Sequence, residues 1–312
     1  MLCCTLPGNR SAEHHLAPTN YGEFLIDTLR LGDVTIDRVV ELDQSSLPTT
    51  AMLPDSTEAD IAKHRAWLGP RLLDAQGEMR THIQTYIIRT PQHTILVDTG
   101  VGNQKPRLER AAWHLRQGSF IDDLAAVGVT PEAVDFVLCT HLHVDHVGWN
   151  TQVVDGQWVP TFPHATYLFI GEEWEFWRSQ HEADAEANAP IGDSVWPVVH
   201  AGLVQLVDST YVLNDYARFE PSPGHTPGHA CLRLNTSAGE VVFAGDLMHR
   251  PVQVAEPQWS SIFCTDPVQS RATREAFVEQ HADTGRLIIA AHFPEPGRIV
   301  RGGNSFRFEV AG

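Results

Sequence analysis

No apolar run in the sequence approaches the roughly 20 residues that a membrane span requires, and the N-terminus lacks the basic segment and apolar core of a secretory signal. A membrane or exported protein is therefore not expected, and a cytoplasmic location is. The five cysteines, Cys3, Cys4, Cys139, Cys231 and Cys264, are too few and too scattered for a disulfide framework, and no C-x-x-C pair occurs. That scarcity suits a reducing compartment. Basic residues are also outnumbered: 22 Lys and Arg stand against 39 Asp and Glu, a formal charge of −17. General nucleic-acid affinity rests on cations that neutralise phosphates, so nucleic acid is not an expected partner. No serine nucleophile motif, Walker-type phosphate loop, internal repeat or low-complexity linker appears.

What remains is ordinary globular composition, 42% hydrophobic and 20% charged over 312 residues, enough chain for a large core. Residues 1–22 have no periodicity and read as a flexible N-terminal arm before one domain over 23–312. Leu25–Leu31 and Val34–Val40 read as strands turned at Gly32-Asp33, and His82–Arg89 and His93–Val97 as a second hairpin. Between them, Asp55-Ser56-Thr57 offers cap chemistry to a helical stretch that ends near Gly69-Pro70, a segment that with Leu53 and Pro54 is a candidate pocket cover. Helices are expected around Ile121–Val127, Glu172–His181, Val195–Val204 and from Asp266-Pro267 toward Gly285. Strands are expected at Val134–Cys139, Ala165–Ile170, Ala230–Leu234, Val241–Ala244, Leu287–Ala291 and Ser305–Val310.

The densest chemistry lies in Thr140-His141-Leu142-His143-Val144-Asp145-His146-Val147-Gly148, directly after an apolar strand. Imidazole and carboxylate are the usual ligands of borderline divalent metals, zinc above all. A short loop leaving a strand turns alternate side chains toward one point, so His141 and His143 can share one ion while Asp145 and His146 reach a second. Asp98, His141, His225, Asp246 and His292 all fall just past the end of an apolar β run. Strand ends that converge on one rim of a layered α/β structure provide a rigid base for a site. Asp98, at a buried strand end, is expected to brace backbone by hydrogen bonding.

The segment from His141 to His146 matches the H-x-H-x-D-H motif, and with His225, Asp246 and His292 the chain resembles the metallo-β-lactamase superfamily over roughly residues 25 to 310. The resemblance implies an α/β, four-layer αββα sandwich of two mixed sheets flanked by helices. It further implies a dinuclear centre, with His141, His143 and His225 on one divalent ion, Asp145, His146 and His292 on the other, and Asp246 bridging. Zinc is the expected metal, with iron, manganese and cobalt as alternatives. Ser222–His229, Ala244–Leu247 and Ala290–Pro294 look closest to the methyl parathion hydrolase and acyl-homoserine lactonase branch. Glyoxalase II shares the ligands, but the helical C-terminal substrate domain of that family has no counterpart in this sequence.

The expected activity is hydrolysis of lactones or carboxylic esters by a hydroxide shared between the ions, with quorum quenching as the associated role. Asp145 and Asp246 are the catalytic candidates, Asp145 as a proton carrier to the leaving oxygen. Phosphotriester hydrolysis and an iron-dependent oxidoreductase of the same fold are the alternatives. Trp149, Trp177, Met248, His249 and Phe293 are candidate walls for a small-molecule substrate, and an aromatic, apolar pocket favours an uncharged one. His229 suits a bracing role better than a ligand one, Cys139 and Cys231 read as inert core thiols, and a homodimer is allowed for.

Overall fold

The computed structural model describes residues 28–43, 47–303 and 305–311. The expected N-terminal arm, with Cys3 and Cys4, lies outside them, as does the start of the Leu25–Leu31 strand. Numbered in chain order, the first sheet holds β1 (Leu29–Leu31), β2 (Val34–Asp43), β3 (His82–Arg89), β4 (Thr94–Val97), β5 (Phe136–Leu138), β8 (Thr166–Ile170) and β9 (Val204–Val207), side by side in that order. A second sheet holds β10 (Ala217–Pro221), β11 (Ala230–Thr236), β12 (Gly239–Gly245), β13 (Leu287–Ala290), β14 (Gly297–Gly302) and β15 (Ser305–Val310). β6 (Thr151–Val154) and β7 (Gln157–Pro160) form a separate hairpin. The helices are α1 (Thr49–Met52), α2 (Glu58–Ala62), α3 (Arg65–Leu72), α4 (Phe120–Ala126), α5 (Gly171–Ala183), α6 (Trp196–His200) and α7 (Pro267–His281).

The period of two along each strand explains the layering. Tyr86 and Ile88, Ile95 and Val97, and Leu168 and Ile170 face inward from the first sheet to meet Phe219, Leu232, Leu234, Phe243 and Ile289 of the second. Their neighbours Ile87, Leu96, Val137, Tyr167 and Phe169 face the other way and pack under α4, α5 and α6 through Phe120, Leu124, Trp174 and Val198. On the far side Cys231, Val242, Ile288, Ile299 and Phe308 pack against Met52, Ile61, Leu68, Leu72, Phe277 and Val278 of α1, α2, α3 and α7. Strands buried on both faces carry continuous apolar runs, and burying each such side chain contributes about 1.5–3 kcal/mol. The order helix, sheet, sheet, helix follows from these three packings.

Several boundaries depart from the sequence reading. The helical stretch after Thr57 does not stop at Gly69-Pro70: Gly69 takes φ 57, kinking α3, and the helix resumes to Leu72. Thr57 caps α2 by accepting from Asp60 N, and Asp266 caps α7 by accepting from Val268 N and Gln269 N, contacts worth about 1 kcal/mol each. The helix expected at Val195–Val204 is a π turn at Ile191–Val195 running into α6, and Val204 instead opens β9. The β6–β7 hairpin was not foreseen, although Asp155-Gly156 is a strong turn signal; both residues take positive φ, 51 and 76.

Candidate metal centre

Parallel pairing decides where the loops gather. β4, β5 and β8 run parallel, so they end at one edge of the first sheet. β12 and β13 run parallel, and two antiparallel pairings give β10 the same direction. The segments that follow β4, β5, β10, β12 and β13 carry Asp98, the His141–His146 group, His225, Asp246 and His292. Residues far apart in the chain therefore meet. One ligand atom from each of His141, His143, His225 and Asp246 lies within 4.8 Å of the others, and Asp145, His146 and His292 form a second such group.

In the first group His225 Nε2 is 3.2 Å from His141 Nε2 and 2.8 Å from His143 Nδ1, and His141 Nε2 is 3.0 Å from His143 Nδ1. A proton can join only two of three converging lone pairs, whereas one cation accepts all three. In the second group His146 Nε2 and His292 Nε2 approach Asp246 Oδ1 at 3.3 and 3.0 Å and Asp145 at 3.9 and 3.7 Å. The other oxygen of Asp246, Oδ2, lies between the groups, 3.3 Å from His225 Nε2 and 3.7 Å from His141 Nε2 of the first and 3.2 Å from His292 Nε2 of the second. His146 Nε2 and Asp246 Oδ1 are buried without an aligned hydrogen-bond partner among the described residues. Such atoms cost roughly 1–3 kcal/mol each unless something satisfies them, so the donor set fits a pair of cations.

Buried hydrogen bonds aim these side chains. Asp98, at φ 55, accepts from Thr140 N at 2.8 Å, from Thr140 Oγ1 and from His146 Nδ1 at 2.8 Å. That partner assigns the proton of His146 to Nδ1 and turns Nε2 to the site. His292 Nδ1 donates to His82 O at 2.9 Å with the same effect. His229 Nδ1 pairs with Ser222, and its Nε2 accepts from Asp246 N at 3.0 Å, holding the aspartate from behind. Gly245, at φ 50, passes so close to this brace that a Cβ would fall 2.6 Å from His229 Nε2.

Glu173 on α5 is a brace that sequence reasoning missed. Its Oε1 accepts from Leu142 N at 3.0 Å and Trp177 Nε1 at 2.7 Å, and its Oε2 accepts from Gly228 N at 3.0 Å. It thus ties the His141–His143 loop to the His225 loop. Its i, i+4 spacing to Trp177 is the only signal in the sequence, and surrounding acids disguise it as surface.

Charge distinguishes the two groups. Burial holds His141 and His143 well below the ordinary imidazole value and pulls His225 down to about 3. These neutral rings are ready to give lone pairs. Burial opposes charge at His146 and His292 too, but Asp246 with Asp98 holds His146 well above the ordinary value, and Asp246 with Asp145 raises His292. Asp246 resists the same burial and stays well below the carboxylate range because His146, His292 and His249 surround it.

A cavity of about 250 Å³ opens over the cluster, floored by His143, Asp145, Asp246, His249 and His292 and walled by Leu42, Leu47, Met52, Ile83, Arg110, Trp113 and Phe263. Of the expected walls, His249 lies in the lining, 3.2 Å from Asp246 Oδ2. Trp177 packs edge-on to His143, ring centroids 5.2 Å apart, outside the lining. Three expectations are corrected. Trp149 is stacked on Phe120 at 4.8 Å and donates to Glu41, and Met248 and Phe293 are sealed in the apolar core, Phe293 edge-on to Phe308. Each is larger and more apolar than its loop can expose, so it turns inward. The expected cover from Leu53 to Pro70 does not line the cavity: Leu53 is core, and the lining is reached instead by Met52, just before that segment.

Comparison with known proteins agrees with this architecture. Residues 80–292 match the model of the Metallo-beta-lactamase superfamily. The chain is 27% identical over 263 residues to Metallo-beta-lactamase domain-containing protein 1 of Xenopus laevis, covering 84% of this chain and 88% of that one. It is 24% identical over 177 residues to an N-acyl homoserine lactonase of a Bacillus species, spanning 52% of this chain but only 62% of the lactonase. Among solved structures, AidC, described as a dizinc quorum-quenching lactonase in complex with a product, superposes with a TM-score of 0.70 at 20% identity, over 92% of this chain and 97% of AidC. Among the described residues no helix is long and apolar enough to cross a membrane.

Proposed function

The chain belongs to the metallo-beta-lactamase superfamily and is a hydrolase, and from that premise we propose that it cleaves lactones or carboxylic esters at a dinuclear metal centre. His141, His143 and His225 would hold one ion, Asp145, His146 and His292 the other, and Asp246 both. The observation that carries this reading is the place of Asp246 between the two histidine sets, its carboxylate 3.3 Å from His225 Nε2 of the first and 3.3 and 3.0 Å from His146 Nε2 and His292 Nε2 of the second. Divalent ions held there, zinc being the ordinary choice for such donors, would polarise a scissile carbonyl and lower the pKa of water from about 15.7 toward about 7.

The chain's own residues supply the rest. Neutral His141, His143 and His225 keep their lone pairs available near neutral pH, and Asp246 keeps its negative charge between the two sets. Asp145 is the more accessible carboxylate, its side chain 17% exposed against 3% for Asp246. It borders the cavity, so its carboxylate could carry a proton to the leaving alkoxide. Leu42, Met52 and Ile83 thin out water around the carbonyl, which strengthens every charge interaction at the floor.

Kinetics with an acyl-homoserine lactone, an aryl carboxylic ester and a dialkyl aryl phosphotriester, each before and after chelation, test the reading. Chelator-sensitive turnover of the lactone or ester at least tenfold above the phosphotriester is expected. Preference for the phosphotriester, or turnover that survives removal of the metal, would sink it.

A further inference from the structure

The loop between β4 and α4 carries four Lys or Arg side chains, and three of them have acidic partners. Arg107 makes two hydrogen bonds to Asp193, at 2.7 and 2.8 Å, and Lys105 Nζ lies 3.5 Å from the same carboxylate. Arg116 donates to Glu41 O at 2.7 Å and sits 3.6 Å from the Glu41 carboxylate. These contacts fasten the loop to the body of the protein. Arg110 is the exception: among the described residues no hydrogen bond or ion pair engages its guanidinium. Its side chain instead stacks against Trp113 and Phe263, with the guanidinium carbon 4.6 and 5.3 Å from the ring centroids, and all three line the cavity above the cluster.

A guanidinium held over aromatic rings is kept in place without its N–H groups being spent on a hydrogen-bond acceptor, which leaves those donors for a ligand. In a chain whose formal charge is −17, carboxylates to neutralise an arginine are abundant, yet among the described residues none pairs with this one, the only charged side chain in a wall otherwise made of Thr81 and apolar residues. We propose that Arg110 recognises a carboxylate carried by the substrate away from the scissile carbonyl, so that the physiological substrate is an anionic ester or lactone. This rests on the hydrolase reading above and adds the charge of the substrate to it. A planar carboxylate matches the guanidinium edge with two parallel hydrogen bonds, and with the scissile carbonyl at the floor, the wall is where the remote group must lie. The proposal departs here from the uncharged substrate expected from the sequence.

The test compares two esters with the same scissile bond, the 4-nitrophenyl half-ester of glutaric acid and its counterpart capped as a methyl ester, on the zinc-loaded full chain. The wild type is expected to favour the anionic ester in kcat/KM by about 10- to 100-fold, the range of a charge-assisted contact, mostly through KM. Arg110→Met should bring that ratio close to one, and Arg110→Lys should restore part of it. A ratio within one preparation does not depend on the folded fraction. Calorimetric binding of glutarate and of monomethyl glutarate gives a second readout without turnover, with glutarate about tenfold tighter in the wild type and the difference lost in Arg110→Met. Equal ratios in wild type and Arg110→Met, in kinetics and in binding, overturn the proposal. Discrimination in binding with no hydrolysis of any ester keeps the role of Arg110 and overturns the hydrolytic reading instead.

Discussion

The floor and the wall of the cavity are built on different principles. Every candidate ligand in the floor lies in a segment that follows a strand, and His146, His292 and Asp246 are each held from behind by a buried hydrogen bond that they donate to Asp98, His82 O and His229 respectively. The wall is assembled from Leu42 and Ile83, paired across β2 and β3, together with Met52, the Arg110–Trp113 turn and Phe263, which come from separate segments and meet them through apolar and ring contacts. Metal coordination tolerates errors of a few tenths of an ångström, and only directional bonds on rigid elements hold that tolerance. Apolar contact is nondirectional and admits substitution. The floor therefore governs whether chemistry occurs, and the wall governs what is admitted. Changes at the floor should move metal content and kcat together, and changes at the wall should move KM alone.

The largest effect is expected at the residue both halves of the floor share. Asp246→Ala should lower bound zinc from two ions to less than one per chain and reduce kcat/KM by on the order of 10³-fold, above the 10–100-fold typical of residues that only support ligands. Metal analysis and kinetics on one preparation decide it. A variant that keeps two ions would place the bridging role elsewhere.

Glu173 should give the intermediate effect, and it sharpens the contrast because it touches neither cavity nor cluster. Burial pushes its carboxyl up, and the donors of Leu142, Trp177 and Gly228 counter that by stabilising the charged form. In Glu173→Gln one acceptor oxygen becomes an amide donor that faces another donor. The expected cost is about 1–3 kcal/mol of stability and a 10- to 100-fold weaker affinity for zinc, read by denaturant unfolding and by metal titration. Unchanged zinc affinity would mean that the two histidine loops are positioned without it.

The two regions also differed in how far the sequence exposed them. The seven candidate ligands could be picked out because their types are chemically unusual together and because His141, His225, Asp246 and His292 each come just past an apolar β run, a pattern that survives without coordinates. The alternating cores of β3, β4, β5, β8 and β12 were legible for the same reason. The wall was not. Arg110 and Trp113 lie in a loop without periodicity, and Phe263 arrives from another part of the chain, so nothing local marks them as neighbours. Trp149, Met248 and Phe293 misled because adjacency to a ligand in sequence was read as adjacency in space. Trp149 sits in a 3₁₀ turn and Met248 and Phe293 in the turns after β12 and β13, where the backbone changes direction from residue to residue and carries these side chains into the core. Glu173 was hidden by a different effect, since a glutamate among glutamates on a helix looks solvated until its partners on two distant loops are seen.

The smallest effect tests the seam between wall and floor. Asp43 follows Leu42 of the wall, lies 3.1 Å from His82 Nε2 and accepts from Arg80 at 2.7 Å, while His82 O holds His292 of the floor. The hydrogen bond and charge of His82, with help from Arg80, pull the carboxyl of Asp43 down to about 2. Because the folded value lies below the unfolded one, the carboxylate form stabilises the fold. That contribution is complete above the ordinary value of 3.8 and is lost as pH falls toward about 2. The depression corresponds to at most about 2 kcal/mol, and with 25% of the side chain in solvent the expected value is about 1 kcal/mol. Urea unfolding of the metal-free wild type and Asp43→Asn should therefore differ by about 1 kcal/mol at pH 6 and by much less at pH 2.5. A gap that stays constant across that range would assign Asp43 to packing, and the seam would then hold by shape instead of charge.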